Sequence, residues 1–264
     1  MDWWPVYLAI GAFVGFMAGL LGIGGGMTMV PMLVFVFTAK SFPAEHLMHM
    51  ALATSMATIP FTSAASVRAH HEHGGVDWSI VTGMLPGLAA GAALGALAAG
   101  MVPGRPLAMF FTAFVFYSGI NMFRDSKPKA SRTLPGRGGL AAVGAAIAFL
   151  SSFLAAGAAF MTVPYMTWCN VPLRRAIGTA AGIGFPLALA SSVGYAHAGS
   201  GLAGLPEYSL GYIYLPALGL IVATSVFTAP LGARNTQRVP VRRLRQVFGL
   251  MMFALAGAML ARIW

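Results

Sequence analysis

The stretch GLLGIGGGMTMVPML, residues 19–33, places glycines at positions 22, 24, 25 and 26 inside an apolar run. In lipid, a backbone that leaves its helix must pair its N–H and C=O groups inside the protein, so such a break is costly. A helix that stops near residue 22, turns and restarts near Met27 reconciles the two. A similar interruption recurs in SSFLAAGAAFMTVPYM, residues 151–166. Each break precedes a short run, 27–38 or 160–169, and a bilayer takes about 20 residues to cross. Segments 6–38 and 139–169 therefore read as two broken helical hairpins, each entering and leaving on one side.

The composition agrees with a membrane. The 264 residues are 58% hydrophobic and 8% charged, where soluble domains carry roughly 25% charge. Further apolar runs at 47–67, 79–101, 106–123, 176–196, 209–230 and 246–263 have the length of spans. The N-terminal MDWWPVYLAIG has no basic n-region, so no cleaved signal is expected, and Trp3, Trp4 and Tyr7 read as an interfacial belt. The single Cys169 excludes an intramolecular disulfide. A net charge of +10 would suggest nucleic-acid binding in a soluble protein. Here the basic residues sit in short loops with no stripe of interleaved aromatics, so no nucleic-acid partner is expected.

Those loops set the orientation. If both hairpins are re-entrant and 124–138 is cytoplasmic, the inside holds Arg68, Arg124, Lys127, Lys129, Arg132, Arg137, Arg174, Arg175, Arg234, Arg238, Arg242, Arg243 and Arg245. The outside keeps Lys40, Arg105 and Arg262, which makes 13 against 3 and accounts for all 16 basic residues. A single crossing at 139–169 would turn Arg234 to Arg245 outward, against the positive-inside rule.

The halves also resemble each other. Val30-Pro31 matches Val163-Pro164, ATSMATIPFTSAASVRAHH (53–71) aligns with TAAGIGFPLALASSVGYAH (179–197), and LPGL (85–88) matches LPAL (215–218). One hairpin plus three spans is an odd number of crossings, so the second half lies upside down. The expected fold is an all-α polytopic membrane protein of two inverted repeats, 1–124 and 139–264, joined by a cytoplasmic linker at 125–138. Inverted repeats with paired broken helices are a transporter architecture, with the site near the midplane.

Two readings of Gly24, Gly25 and Gly26 stay open. Bare N–H groups at a helix start, with the positive end of the dipole, attract an anion; alternatively, glycines permit close helix packing. The hydroxyls of Thr28, Thr54, Ser55, Thr58, Thr162 and Thr179 are candidate donors to such an anion, and each could equally bond a carbonyl of its own helix. Pro31 and Pro164 are expected to hold the breaks open. The acids Asp2, Glu45, Glu72, Asp77, Asp125 and Glu207 all lie in or beside loops, so no mid-span carboxylate relay is available. His71 and His197 recur between the halves and are candidate proton carriers at opposite faces. The cluster His70, His71 and His73, with His46 and His49, supplies the rival reading of a membrane-embedded, histidine-ligated metalloenzyme. Metal would need a closed ligand shell, and neither a metal nor a cofactor is expected.

The chain is similar to the sulfite exporter TauE/SafE family of membrane permeases. GFMAGLLGIGGGMTMVPML (15–33) resembles that family's N-terminal motif and TAAGIGFPLALASSVGY (179–195) its second signature, a likeness covering essentially the whole chain. The resemblance implies a multi-pass transporter of the cytoplasmic (inner) membrane that takes sulfur-containing anions such as sulfite or small organosulfonates. Its partners would be a small anionic substrate and the lipid bilayer, with a second copy of the chain as a candidate homodimer partner. The second break departs from the family pattern by keeping only Gly157, and alanine retains its N–H but resists positive φ. The function expected is export of a small anion by alternating access, without enzymatic chemistry.

Overall fold

The structure is a computed structural model, and it describes residues 3–21, 25–72, 74–124, 131–235 and 241–263. These form ten α-helices: α1 Trp4–Leu21, α2 Gly26–Ala39, α3 Leu47–Glu72, α4 Trp78–Met101, α5 Gly104–Arg124, α6 Arg137–Leu154, α7 Ala159–Trp168, α8 Leu173–Ala198, α9 Leu215–Asn235 and α10 Val241–Ile263. Five of them (α3, α4, α6, α8 and Leu215–Gly232 of α9) are long and apolar enough to cross a membrane by length and composition. The fold is all-α and polytopic. One departure is local: the apolar run expected to be helical from 209 begins as a two-residue antiparallel pair, β1 Ser209–Leu210 with β2 Ile213–Tyr214. Gly211 makes the turn with φ 53°, and a side chain there would meet the Ala196 carbonyl.

The breaks fall where the glycines predict. Gly25, at φ 55°, is the N-cap of α2, and a Cβ on it would lie 2.6 Å from Val14 Cγ1. In the second half, α6 stops at Leu154 because Ala155 (φ 42°) and then Gly157 (φ 58°) turn left-handed. The one glycine this break retains thus occupies a left-handed position, while Ala155 adopts a conformation that costs an L-residue about 1–2 kcal/mol. Pro31 and Pro164 are corrected: they lie inside α2 and α7, several residues past the breaks. A proline there removes one backbone donor, so these residues loosen the restarted helices while Gly25, Ala155 and Gly157 make the turns.

Packing pairs the halves crosswise. Helix α1 lies along α9, and α6 lies along α4; α3 also contacts α9, and α4 contacts α8. The central α3 and α8 pack on each other, as do α5 and α10. Exchanging the two halves maps this list onto itself. Close approach depends on small residues: Gly87 and Gly91 of α4 rest on the backbone of Ala141 and Ala145, and Gly11 and Gly15 of α1 on Ile221 and Ser225. Such contacts replace the hydrophobic driving force that lipid does not supply.

The loops gather into two sets. Residues 40–46, 102–104 and 199–214 meet at one end, where His49 Nε2 contacts the Val102 carbonyl at 2.8 Å and Lys40 reaches Tyr214. Residues 74–78 and the start of α8 meet at the other, where Gly178 abuts the Gly75 carbonyl. Ser131 and Arg132, between α5 and α6, dock on α7 through the Trp168 carbonyl and ring. Asp125, Lys127, Lys129 and Arg238 lie outside the described residues.

Candidate functional site

The two breaks touch in the interior. A Cβ on Gly26 would meet the Ala155 carbonyl and lie 3.3 Å from Ile59 Cδ1. The N-termini of α2 and α7 therefore converge beside α3. Neither N-cap, Gly25 nor Ala158, offers a side-chain oxygen, so the first N–H groups of both helices are left to other partners. Gly24, the first of the three candidate glycines, lies outside the described residues.

The candidate hydroxyls fall into three groups. Thr28 Oγ1 donates to the Gly25 carbonyl at 2.8 Å and Thr162 Oγ1 to the Ala158 carbonyl at 2.7 Å, so both close the first turn of their own helix. Thr58 likewise donates to the Ser55 carbonyl at 2.7 Å. Thr54 and Thr179 face away from the breaks toward opposite ends: Thr54 accepts the Tyr214 N–H at 3.1 Å, and Thr179 the Asp77 N–H at 2.9 Å. Ser55 alone of the six is fully buried with no hydrogen-bond partner. A buried hydroxyl left unpaired costs about 1–3 kcal/mol, which an acceptor arriving beside it would recover.

Ser55 sits one turn from Ile59 on one face of α3, the face that continues through Thr62 and Ser66 by helical spacing. Ile59, Thr62, Ser63 and Ser66 line a cavity of about 50 Å³, together with Gly157, Ala158 and Ala159 at the start of α7 and Ala180 and Gly184 of α8. The second break, which carries the weaker sequence signal, thus borders the cavity. Ser63 and Ser66 lie outside the candidate hydroxyls, although the polar spacing inside TIPFTSAAS signals them. Ser151, another buried hydroxyl without a partner, four residues before Ala155, also lies outside them.

The histidines lie at the ends. His71 is exposed and its Nδ1 accepts the Trp78 indole N–H at 3.1 Å; His197 is exposed at the opposite end. His49 is buried and stacks on Tyr212, with ring centroids 4.9 Å apart. Burial, with Glu45 second, pushes the Tyr212 phenol above its ordinary value, so a neutral ring faces His49. Among the described residues no group of three or more His, Cys, Asp or Glu is gathered to hold a metal, and His73 lies outside them. The metalloenzyme reading gains no ligand set.

Comparison with known proteins gives a consistent result. The family model described as sulfite exporter TauE/SafE matches residues 7–259. A probable membrane transporter protein of Haemophilus influenzae is 36% identical over 251 residues, covering 94% of this chain and 95% of that one. A probable membrane transporter protein of Methanocaldococcus jannaschii is 24% identical over 260 residues, covering 97% and 93%. A third, of Bacillus subtilis, is 25% identical over 256 residues, covering 94% and 96%. No solved structure matches the chain at a significant level.

Proposed function

The chain is a membrane transporter that belongs to the sulfite exporter TauE/SafE family, and from that premise we propose that it exports a small sulfur-containing anion, sulfite or an organosulfonate, across the cytoplasmic membrane by alternating access. The observation that carries this reading is the buried, unpaired Ser55 hydroxyl, one helical turn from Ile59, beside which the two uncapped helix starts converge. Helix N-termini and hydroxyls can replace part of an oxyanion's hydration. The described cations Lys40, Arg68, Arg105, Arg132, Arg137, Arg174 and Arg175 belong to the loops and helix ends. An anion held by dipoles and hydroxyls alone is bound weakly enough to leave, which a transporter needs.

The place of the cavity supports this direction. It lies on the half of α3 and α8 nearest the 74–78 loop, the end that the loop charges assign to the cytoplasm. Loading from that side suits export, and an inside-negative potential favours anion exit by about 2.3 kcal/mol per charge per 100 mV. The crosswise helix pairing supports the inverted repeat on which alternating access relies. Gly25, Gly26 and the start of α7 would shape the site, with Thr28 and Thr162 fixing those helix starts; His71 and His197 remain candidate proton carriers.

Sulfite binding to purified protein tests this reading. Ser55→Ala removes an unsatisfied buried group, so its melting temperature should hold or rise, while sulfite affinity falls about 10-fold or more, the worth of a hydrogen bond to a charged group. Equal sulfite affinity in the wild type and Ser55→Ala, or no binding by either, would overturn it.

A further inference from the structure

Thr54 and Thr179 perform the same task at opposite ends of the molecule. Tyr214, the residue before α9, gives its N–H to Thr54 of α3, and its phenolic oxygen accepts from Lys40 Nζ at 2.8 Å. Asp77, the N-cap of α4, gives its N–H to Thr179 of α8, and its carboxylate faces Arg175 at 3.9 Å. In both cases a threonine and a cation from one half of the sequence hold the entrance to the fourth helix of the other. That helix then packs with its host: α9 along α1 and α3, α4 along α6 and α8.

The contact between α3 and α8 has a different character. The cavity lies on it, and Gly184 of α8 meets Ser63 of α3, with a built Cβ 3.8 Å from the serine Cβ. We infer that the moving bodies of this transporter are not its sequence halves but two exchanged bodies, α1–α3 with α9 and α6–α8 with α4, which rock on the α3–α8 seam. Thr54 and Thr179 are then positioning residues that clasp each exchanged helix to its host, and neither touches the anion. This rests on the alternating-access reading and goes beyond it in assigning the bodies.

Two cysteine pairs in a Cys169→Ala background test the assignment. Val67→Cys with Gly182→Cys spans the seam outside the cavity lining, a Cβ on Gly182 lying 4.0 Å from Val67 Cγ2. Gly83→Cys with Leu140→Cys joins α4 to α6 inside one body, its Cβ separation of 3.5 Å suiting a disulfide. In proteoliposomes, oxidising the seam pair should cut sulfite transport at least about 10-fold with rescue by reductant, while oxidising the inner pair should change it less than about 2-fold; these are the changes expected from locking or sparing a conformational equilibrium. Transport that survives the seam disulfide, or that both disulfides stop alike, would overturn the assignment while leaving sulfite export standing.

A second measurement needs no substrate. Spin labels at Met101 and Val193, exposed positions on α4 and α8, should give one narrow distance. Labels at Met101 and Trp4, on different bodies, should give a broad or two-component distribution. The reverse pattern, or narrow distances for both, would overturn the inference. Divided distances without sulfite transport would support the bodies and refute sulfite as cargo. Finally, Thr54→Val and Thr179→Val should keep sulfite affinity within about 2-fold and slow transport severalfold, with Thr→Ser restoring it, because valine keeps the shape of threonine and removes only the hydroxyl. Loss of affinity in either valine variant would place that threonine in the binding site and overturn its role as a clasp.

Discussion

Gly25 and Gly26 are adjacent but constrained by different forces. Gly25 needs its left-handed φ of 55°, and a Cβ there would first meet the Val14 side chain, whereas Gly26 needs the absence of a side chain, because the Ala155 backbone carbonyl occupies that space. Gly25→Ala should therefore lose about 1–2 kcal/mol from backbone strain, and Gly26→Ala about 1–3 kcal/mol from overpacking. Thermal unfolding in detergent checks both, with Gly219→Ala as the contrast: no atom lies within 4 Å of its added methyl, so stability should hold or rise by up to about 1 kcal/mol. Valine at 25 should then cost stability before affinity can be read. Part of the candidate site was legible at this scale. Ser55 could be named from its polar type in an apolar span. Its difference from Thr54 could not, since neighbouring helical positions differ by about 100° in direction and only tertiary packing decides which of them finds a partner.

Helix α4 carries glycines at 83, 87, 91 and 95, a spacing of four that lays one smooth stripe along its length. The stripe meets Leu140, Ala141, Ala145 and Phe149 of α6, three of the contacts being with backbone. Gly91→Leu should drive the helices apart and cost most of the folded protein, measured as the monodisperse fraction in detergent, whereas Gly257→Ala on α10, with open space around it, should not. The ten helices were legible in the sequence because long apolar runs and glycine breaks are local signals. The short strand pair at 209–214 was not. Its residues LGYIY read as apolar helix, and it forms because Gly211 must turn against Ala196 and because Thr54, distant in sequence, captures the Tyr214 N–H. The prolines misled for a related reason: Pro31 and Pro164 sit just past the breaks, yet a helix in a packed membrane protein tolerates an interior proline when neighbouring groups take up the freed carbonyl.

At the scale of the molecule, the loops at 40–46, 102–104 and 199–214 form one end and those at 74–78 and 170–175 the other. With Cys169→Ala as background, Ala203→Cys should react with an impermeant thiol reagent applied outside cells and Glu72→Cys only after the membrane is opened. Labelling of residue 203 only from the cytoplasm would contradict the charge-based orientation. The crosswise pairing of α1 with α9 and of α4 with α6 also bears on how the protein comes to exist. As the nascent chain leaves the ribosome, α4 enters the bilayer with its glycine face bare, and its partner is not yet made. Helix α1 waits longer still, since Thr224 of α9 must arrive before its hydroxyl can reach the Leu8 carbonyl, 216 residues upstream. No early segment can then be completed and set aside. Residues 1–130 or 131–264 expressed alone should be degraded by membrane proteases, whereas the two fragments made together in one cell should protect each other and assemble.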